Sequence, residues 1–176
     1  MSHGLRSDDA DVGDVAFAGT IRARVVTVRL ERVTRIRAPI ERVFDLSLDL
    51  DLHAASMASS HERAIAGVTT GSLGLGEEVT WRARHLGVTW TMTSRVTELD
   101  RPARFVDEQV RGPFARFRHE HRFLSDGPVT VMTDLLEFAA PWGVVGLVGE
   151  RLLLGWYMRR LIDRRNRYLA DASERE

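Results

Sequence analysis

The sequence contains no cysteine and no lysine. Without cysteine the chain has no disulfide, no thiol nucleophile and no thiolate ligand for a metal ion, and this composition fits a cytoplasmic location. All 25 basic residues are arginine, a bias that indicates nothing about function. Because 25 acidic residues balance them, the net charge is zero and no overall field attracts nucleic acid or an anionic membrane.

The sequence also lacks a long uninterrupted apolar run. Its most apolar segment, residues 142–158, is broken by Glu150 and Arg151, whereas a membrane helix needs about 20 consecutive apolar residues. We therefore interpret the segment as a buried helix and expect no membrane span. The first residues show no basic start followed by an apolar run, so they do not predict a secretory signal.

The length of 176 residues predicts one domain that is large enough for a core and an internal cavity. Residues 1–24 are rich in aspartate, glycine and serine and show no sustained period, which predicts a flexible N-terminal extension. We expect the folded domain to span residues 25–170 and a short C-terminal tail to span residues 171–176.

The order of the predicted elements indicates the architecture. An alternating, β-branched segment predicts a first strand over Val25–Ala38, and two short helices follow from Pro39 onward. Strand patterns then succeed one another without helices, which is typical of antiparallel hairpins. A long helix is predicted from about Pro141 to Ala170, with a buried apolar first half and a solvated, arginine-rich second half. We expect an α+β fold in which a curved antiparallel sheet of about six to seven strands wraps around this helix and encloses a cavity.

The segment FARFRHEHRFL, residues 114–124, alternates strictly and predicts a half-buried strand. One face, predicted to be in water, carries Arg116, Arg118, Glu120 and Arg122. The other is apolar except for two neighbouring imidazoles and carries Ala115, Phe117, His119, His121 and Phe123. Two histidines on the inner face of a strand therefore require an explanation.

The turn motif SDGP at residues 125–128 predicts a hairpin at the end of this strand. The implied register places His121 opposite Met132 and His119 opposite Asp134. Because opposed residues share a face with Cβ atoms about 5 Å apart, we expect His119 and Asp134 to be neighbours on the concave side of the sheet.

Three interpretations of this pair stay open at the level of sequence. It is a buried polar pair that fixes the strand register, or, with His121, the polar end of a cavity that anchors a ligand. The third interpretation is catalysis or metal binding. It uses His119 and Asp134 as an acid/base pair, or the two imidazoles with His85 or Asp134 as metal ligands. We expect no metal site and no cofactor.

Large apolar side chains on the neighbouring strand patterns are candidates for core or for cavity walls. The candidate wall residues, with a histidine at the end of one strand, are Phe117, Phe123, Trp81, Trp90, Met132 and His85. The inner face of the strand pattern at residues 104–110 is ambiguous, because both parities mix polar and apolar residues.

Five phrases of the sequence resemble the SRPBCC, or START-like, superfamily of helix-grip proteins. They are TRIRAPIERVFDLSLDLDLH, LGEEVTWRARHLG, ELDRPARFVDEQVRGPF, RFRHEHRF and MTDLLEFAAPWG, and together they cover about Val28–Leu169. The resemblance is closest to bacterial ligand-binding members related to polyketide cyclase/dehydrase-like domains. It implies an apolar cavity under the long helix, and it supplies no catalytic motif, because none runs through the superfamily.

The resulting hypothesis is the binding of a small hydrophobic molecule, lipid-like, aromatic or polyketide-like, between the sheet and the C-terminal helix. In this hypothesis His119, His121 and Asp134 orient the polar end of the ligand. The alternative is a cyclase or dehydratase that acts on a polyketide-like substrate with His119 and Asp134 as the acid/base pair. A third hypothesis is an interaction module with a collapsed cavity. A small hydrophobic molecule is the expected partner, nucleic acid is not, and the sequence predicts no oligomeric state.

Overall fold

The computed structural model describes residues 27–139 and 149–175. Within these residues the strands are β1 (Thr27–Ile36), β2 (Arg63–Gly67), β3 (Glu78–His85), β4 (Val88–Asp100), β5 (Arg104–Arg111), β6 (Arg116–Asp126) and β7 (Val129–Ala139). The helices are α1 (Ile40–Leu48), α2 (Leu50–Ser56) and α3 (Gly149–Glu174), and a 3-10 turn spans Ala58–Ser60. The predicted extension at 1–24 and the predicted start of the long helix near residue 141 lie outside the described residues.

The strands form a seven-stranded antiparallel sheet in the order β1-β7-β6-β5-β4-β3-β2. The two short helices follow β1 and the long helix follows β7, so the predicted helix-grip α+β fold is confirmed. The helix α3 packs against β1, α1 and α2. Among the described helices, none is both long and apolar enough to cross a membrane.

The short helices close one part of the concave face. Pro39 precedes α1 in an extended conformation, and the side chain of Asp49 caps α2 by accepting a hydrogen bond from the Leu52 N–H at 2.8 Å. The fully buried Phe44 of α1 meets the rings of Phe105 and Phe123 edge-on at 5.7 and 5.3 Å. The side chains of α1 therefore fill the space above this part of the sheet.

The β6–β7 hairpin is tighter than the sequence predicted. Both strands extend further, so only residues 127–128 form the loop. The observed register pairs His121 with Asp134 and His119 with Leu136. The predicted pairing was wrong by two residues. Because side chains alternate with a period of two, this shift leaves every side chain on its predicted face.

The sequence predicted that the second half of α3 is solvated. In the structure one side of it is buried, because Arg165 and Asn166 are buried. The reason is that the helix lies over α1 and β1 at this level. Arg165 donates to the Ser47 carbonyl at 3.2 Å, and Asn166 donates to the Thr34 hydroxyl at 3.1 Å. The helix also continues to Glu174, so most of the predicted tail is helical.

The prediction that Glu120 on the outer face of β6 lies in water was wrong, because this residue is only 4% exposed. Its carboxylate accepts hydrogen bonds from Arg104, Arg118 and Arg122 at 2.7, 2.7 and 2.6 Å. Burial by itself raises the pKa of Glu120, but the three guanidinium groups outweigh burial and lower the pKa to about 2. The arginine side chains of this face therefore cover a carboxylate that alternation alone assigns to water.

Candidate functional site

A cavity of about 500 Å³ lies between the concave face of the sheet and α3. Its volume falls in the range of small-molecule sites, about 300–1,000 Å³. Leu86 and Leu153 line it and are more than half exposed, which marks where the cavity reaches the surface among the described residues. The exposure of Leu153 also differs from the buried first half predicted for the long helix.

Most of the predicted wall residues face this cavity, namely Phe117, Trp81, Trp90 and His85. Phe123 and Met132 are not among the lining residues. They pack in the core with Phe44, so the prediction that they wall the cavity was wrong. The reason is that α1 fills this part of the concave face, which leaves no space above them.

Two imidazoles and a carboxylate form the polar end of the cavity. His119 and His121 of β6 line it, and Asp134 of β7 lies behind them with 1% exposure. The Oδ1 of Asp134 is 3.0 Å from Nε2 of His119 and 2.9 Å from Nδ1 of His121. The expected proximity of His119 and Asp134 is confirmed. Asp134 itself does not line the cavity, so the imidazoles separate it from the cavity space.

The helix α3 fixes the position of Asp134. The amide of Asn166 donates to its Oδ2 at 2.6 Å, and Nη1 of Arg165 lies 3.6 Å from its Oδ1. Burial by itself raises the pKa of Asp134, but the hydrogen bond from His119 and the approach of His121 outweigh burial. The pKa of Asp134 lies well below its usual range, so this group is a carboxylate.

Asp107 of β5 resolves the ambiguity of the predicted strand pattern at residues 104–110, because Asp107 and Phe105 both line the cavity. Its Oδ1 lies 3.4 Å from Nε2 of His121, and the Phe105 ring stacks on that imidazole at 4.2 Å. Burial raises the pKa of Asp107, but the interaction with His121 and the neighbouring positive groups outweigh burial and lower it. Asp107 is thus a second carboxylate at the polar end.

The electrostatics of His119 define what this end can do chemically. Burial and the adjacent His121 lower the pKa of His119, and they outweigh the opposite effect of Asp134. A neutral imidazole that donates from Nε2 to a carboxylate has its proton on that nitrogen, which leaves a lone pair on Nδ1. His119 is therefore suited to accept a hydrogen bond or a proton.

Of a second polar group in the cavity, only His85 was predicted from the sequence. His85 forms a hydrogen bond between its Nδ1 and the Tyr157 hydroxyl at 2.8 Å, and His53 contacts Glu62 at 3.0 Å. All four side chains line the cavity. Nothing in the sequence connects them, because they come from separate elements of the fold.

Arg165 also lines the cavity and was missed. One signal was available, since Met158, Ile162 and Arg165 recur at helical spacing and therefore share a face of α3. The arginine-rich composition of the segment obscured this signal.

A family model described as "Polyketide cyclase / dehydrase and lipid transport" matches residues 27–174. The chain belongs to this family. The membership agrees with the START-like superfamily that the sequence resembles. No curated protein matches the chain in sequence at a significant level.

Solved structures share the fold. A protein of Thermus thermophilus is 22% identical with a TM-score of 0.65, and the match covers 85% of this chain and 100% of that one. The Zhui aromatase/cyclase of a Streptomyces species is 21% identical with a TM-score of 0.67 and coverage of 85% and 95%. A ginseng major latex-like protein is 12% identical with a TM-score of 0.60 and coverage of 85% and 99%. At these identities the likeness shows a common fold.

Proposed function

We propose that the protein binds a small hydrophobic molecule, with an apolar body and at least one polar group, in the cavity between the sheet and α3. The observation that carries the proposal is the cavity of about 500 Å³, whose lining is mostly apolar and whose polar side chains are few and include His119, His121 and Asp107 at one end. Burial of an apolar ligand surface supplies the free energy of binding, and the few polar groups fix its orientation.

The polar end sets the chemistry of the ligand group that it accepts. The neutral His119 offers an acceptor for a ligand hydroxyl. Arg165 also lines the cavity, and its buried Nη1 lies 3.6 Å from Oδ1 of Asp134 and donates no hydrogen bond to any described residue, so a ligand oxygen that reaches this atom would give it a partner. A hydroxyl beside a carbonyl or carboxylate oxygen satisfies both groups, as on a phenolic, polyketide-like or hydroxylated lipid-like ligand.

Native mass spectrometry of the protein purified from its own host tests the proposal by detecting co-purified small molecules. We expect a bound mass in the wild type and a changed set of bound masses in His119→Phe, because this substitution removes the acceptor from the cavity end. The matched control is His61→Phe, which replaces an exposed histidine outside the cavity lining.

Binding of the fluorescent probe anilinonaphthalene sulfonate provides a second readout, because the probe has an aromatic body and an anionic group. We expect saturable binding that a hydrophobic competitor displaces. A folded protein that carries no small molecule and does not bind the probe would contradict the proposal.

A second candidate function is a cyclase or dehydratase, favoured by the neutral His119 that faces the cavity with Asp134 behind it. In a dehydration, Nδ1 of His119 takes the α-proton of a β-hydroxyketone. The imidazolium then returns a proton to the departing hydroxyl, so that water leaves and a carbon–carbon double bond forms.

The test is incubation of the protein with an aryl β-hydroxyketone, followed by mass spectrometry for the loss of water. For an enzyme we expect turnover by the wild type and by His61→Phe. We expect turnover by His119→Gln to be at least a hundredfold slower. Equal rates with and without protein would leave binding as the function.

A further inference from the structure

Three side chains with metal-ligating atoms meet at the polar end of the cavity. Asp107, His119 and His121 each offer one oxygen or nitrogen atom, and these atoms lie within 4.8 Å of one another. We propose that the three residues form a site for a divalent transition-metal cation that opens into the cavity. This goes beyond the proposed binding of a hydrophobic molecule, which requires no metal.

The spacing of the donor atoms suits such an ion. Bonds of about 2.0–2.2 Å in a tetrahedral site hold the ligand atoms roughly 3.5 Å apart. The Oδ1 of Asp107 and Nε2 of His121 are 3.4 Å apart, so one pair already has this separation. All three ligand atoms lie within 4.8 Å of one another, so the remaining pairs have to approach by no more than about 1.3 Å to reach this spacing.

Asp134 has the position of a carboxylate that supports the ligating histidines of a metal site without binding the metal itself. Histidines that bind a metal through one ring nitrogen usually donate the other N–H to a carboxylate or carbonyl, which fixes the tautomer and the ring. The Oδ1 of Asp134 contacts Nε2 of His119 and Nδ1 of His121 at 3.0 and 2.9 Å. The hydrogen bond to Asp134 holds the imidazole of His119 and leaves its Nδ1 to ligate an ion. The Nδ1 of His121 approaches the same carboxylate without forming a hydrogen bond, and its Nε2 lies toward Asp107.

Charge and ligand type favour a first-row transition metal. With neutral imidazoles, Asp107, Asp134 and Arg165 sum to one negative charge, so a divalent ion leaves one positive charge for a ligand oxygen to balance. Two imidazoles and one carboxylate suit zinc, iron, nickel or copper, and three protein ligands leave a coordination position open toward the cavity. His85, a candidate ligand on the sequence, is instead hydrogen-bonded to Tyr157.

The test uses the untagged full chain, stripped of metal with a chelator and titrated with Zn²⁺ by calorimetry near neutral pH. We expect one equivalent of Zn²⁺ to bind, and Co²⁺ to give the visible absorption of a low-symmetry site. Asp107→Asn should weaken Zn²⁺ binding at least about tenfold, and His119→Gln should weaken it further. The matched controls Asp171→Asn and His61→Gln replace exposed residues and should bind Zn²⁺ as the wild type does.

Absence of Zn²⁺ binding, or equal binding by the wild type and Asp107→Asn, would overturn the metal site. Should His119→Gln fail to fold, the partly exposed Asp107→Asn decides the result. Probe binding by the metal-free wild type is measured in parallel. It tests the proposed cavity function independently, so a failure of one proposal is distinguishable from a failure of the other.

Discussion

Asn166 of α3 donates a hydrogen bond to Oδ2 of Asp134 on β7 at 2.6 Å. The other oxygen of the same carboxylate contacts both His119 and His121. One buried group therefore holds the long helix on the sheet and orients the polar end of the cavity. The position of α3 and the geometry of the imidazoles are coupled through it.

Replacing Asn166 by alanine leaves Oδ2 of Asp134 without this partner. Because an unsatisfied buried acceptor costs about 1–3 kcal/mol, we expect a loss of this size in the free energy of unfolding, measured by urea titration. The control is Arg167→Ala at the next, exposed position, where the change should stay within about 0.5 kcal/mol. Equal losses in the two variants would contradict the structural role of Asn166.

Stability should fall as the pH is lowered from about 7 to about 5, in part because of His119. Its pKa in the folded state lies below the value of about 6.5 in the unfolded chain. The unfolded chain therefore binds a proton that the folded chain does not, and stability is lost as the pH falls through this interval.

His119→Gln should flatten the profile of unfolding free energy against pH, whereas His61→Gln should not. Some slope will remain, because burial also lowers the pKa of His85. Parallel profiles for the wild type and His119→Gln would show that His119 does not contribute to the pH dependence of stability.

Glu120→Gln should destabilise the protein at neutral pH, because three arginines lose their shared carboxylate. The folded-state pKa of about 2 is lower than the ordinary value of 4.5, so the contribution is present above pH 4.5 and is lost as the pH falls toward 2. A shift of this size corresponds to about 3 kcal/mol. Urea titrations at neutral pH and at about pH 2 measure it. Glu31→Gln, at an exposed position, is the control.

Filling the cavity should abolish binding without unfolding the protein. Ala83 is buried and lines the cavity opposite Trp90 in the β3–β4 ladder, so Ala83→Phe projects a ring into the empty space. We expect probe binding to weaken at least about tenfold with little change in the free energy of unfolding. Ala66→Phe, at an exposed position on β2, should bind the probe normally. Destabilisation by about 1–3 kcal/mol with unchanged probe binding would indicate a packed interior instead.

Tyr157→Phe removes the hydroxyl that joins α3 to His85 across the cavity. A net loss of about 0.5–1.5 kcal/mol is expected for this hydrogen bond. The bound probe should dissociate faster in a stopped-flow experiment, because the contact links two elements that line the cavity. Tyr168→Phe changes the chain's other tyrosine, which does not line the cavity. Identical dissociation rates for the two variants would show that the hydrogen bond between Tyr157 and His85 does not slow the release of the probe.

Local patterns in the sequence were sufficient to predict the architecture. Alternation places side chains on one face or the other whatever the exact register, which is why the two-residue error in the β6–β7 hairpin left His119, His121 and Asp134 on the concave side. The two short helices after Pro39 were likewise predicted, and the buried side chains Val43, Phe44 and Ser47 of α1 follow the helical period.

The composition of the site depended on contacts between distant elements, which no local pattern encodes. Asp107 joins the imidazoles because β5 lies beside β6, and Phe123 is lost from the cavity wall because α1 covers it. Arg165 and Asn166 are buried by the elements beneath them although their segment is polar.

The sequence alone determined the order of strands and helices and, outside residues 104–110, the face on which the strand side chains lie, because both follow from the backbone periods of two and 3.6 residues. The tertiary structure alone decided where the cavity is open, which residues reach its polar end and which charges are buried there. Those properties depend on the distances between side chains far apart in the chain, and these distances are set only when the sheet and α3 pack together.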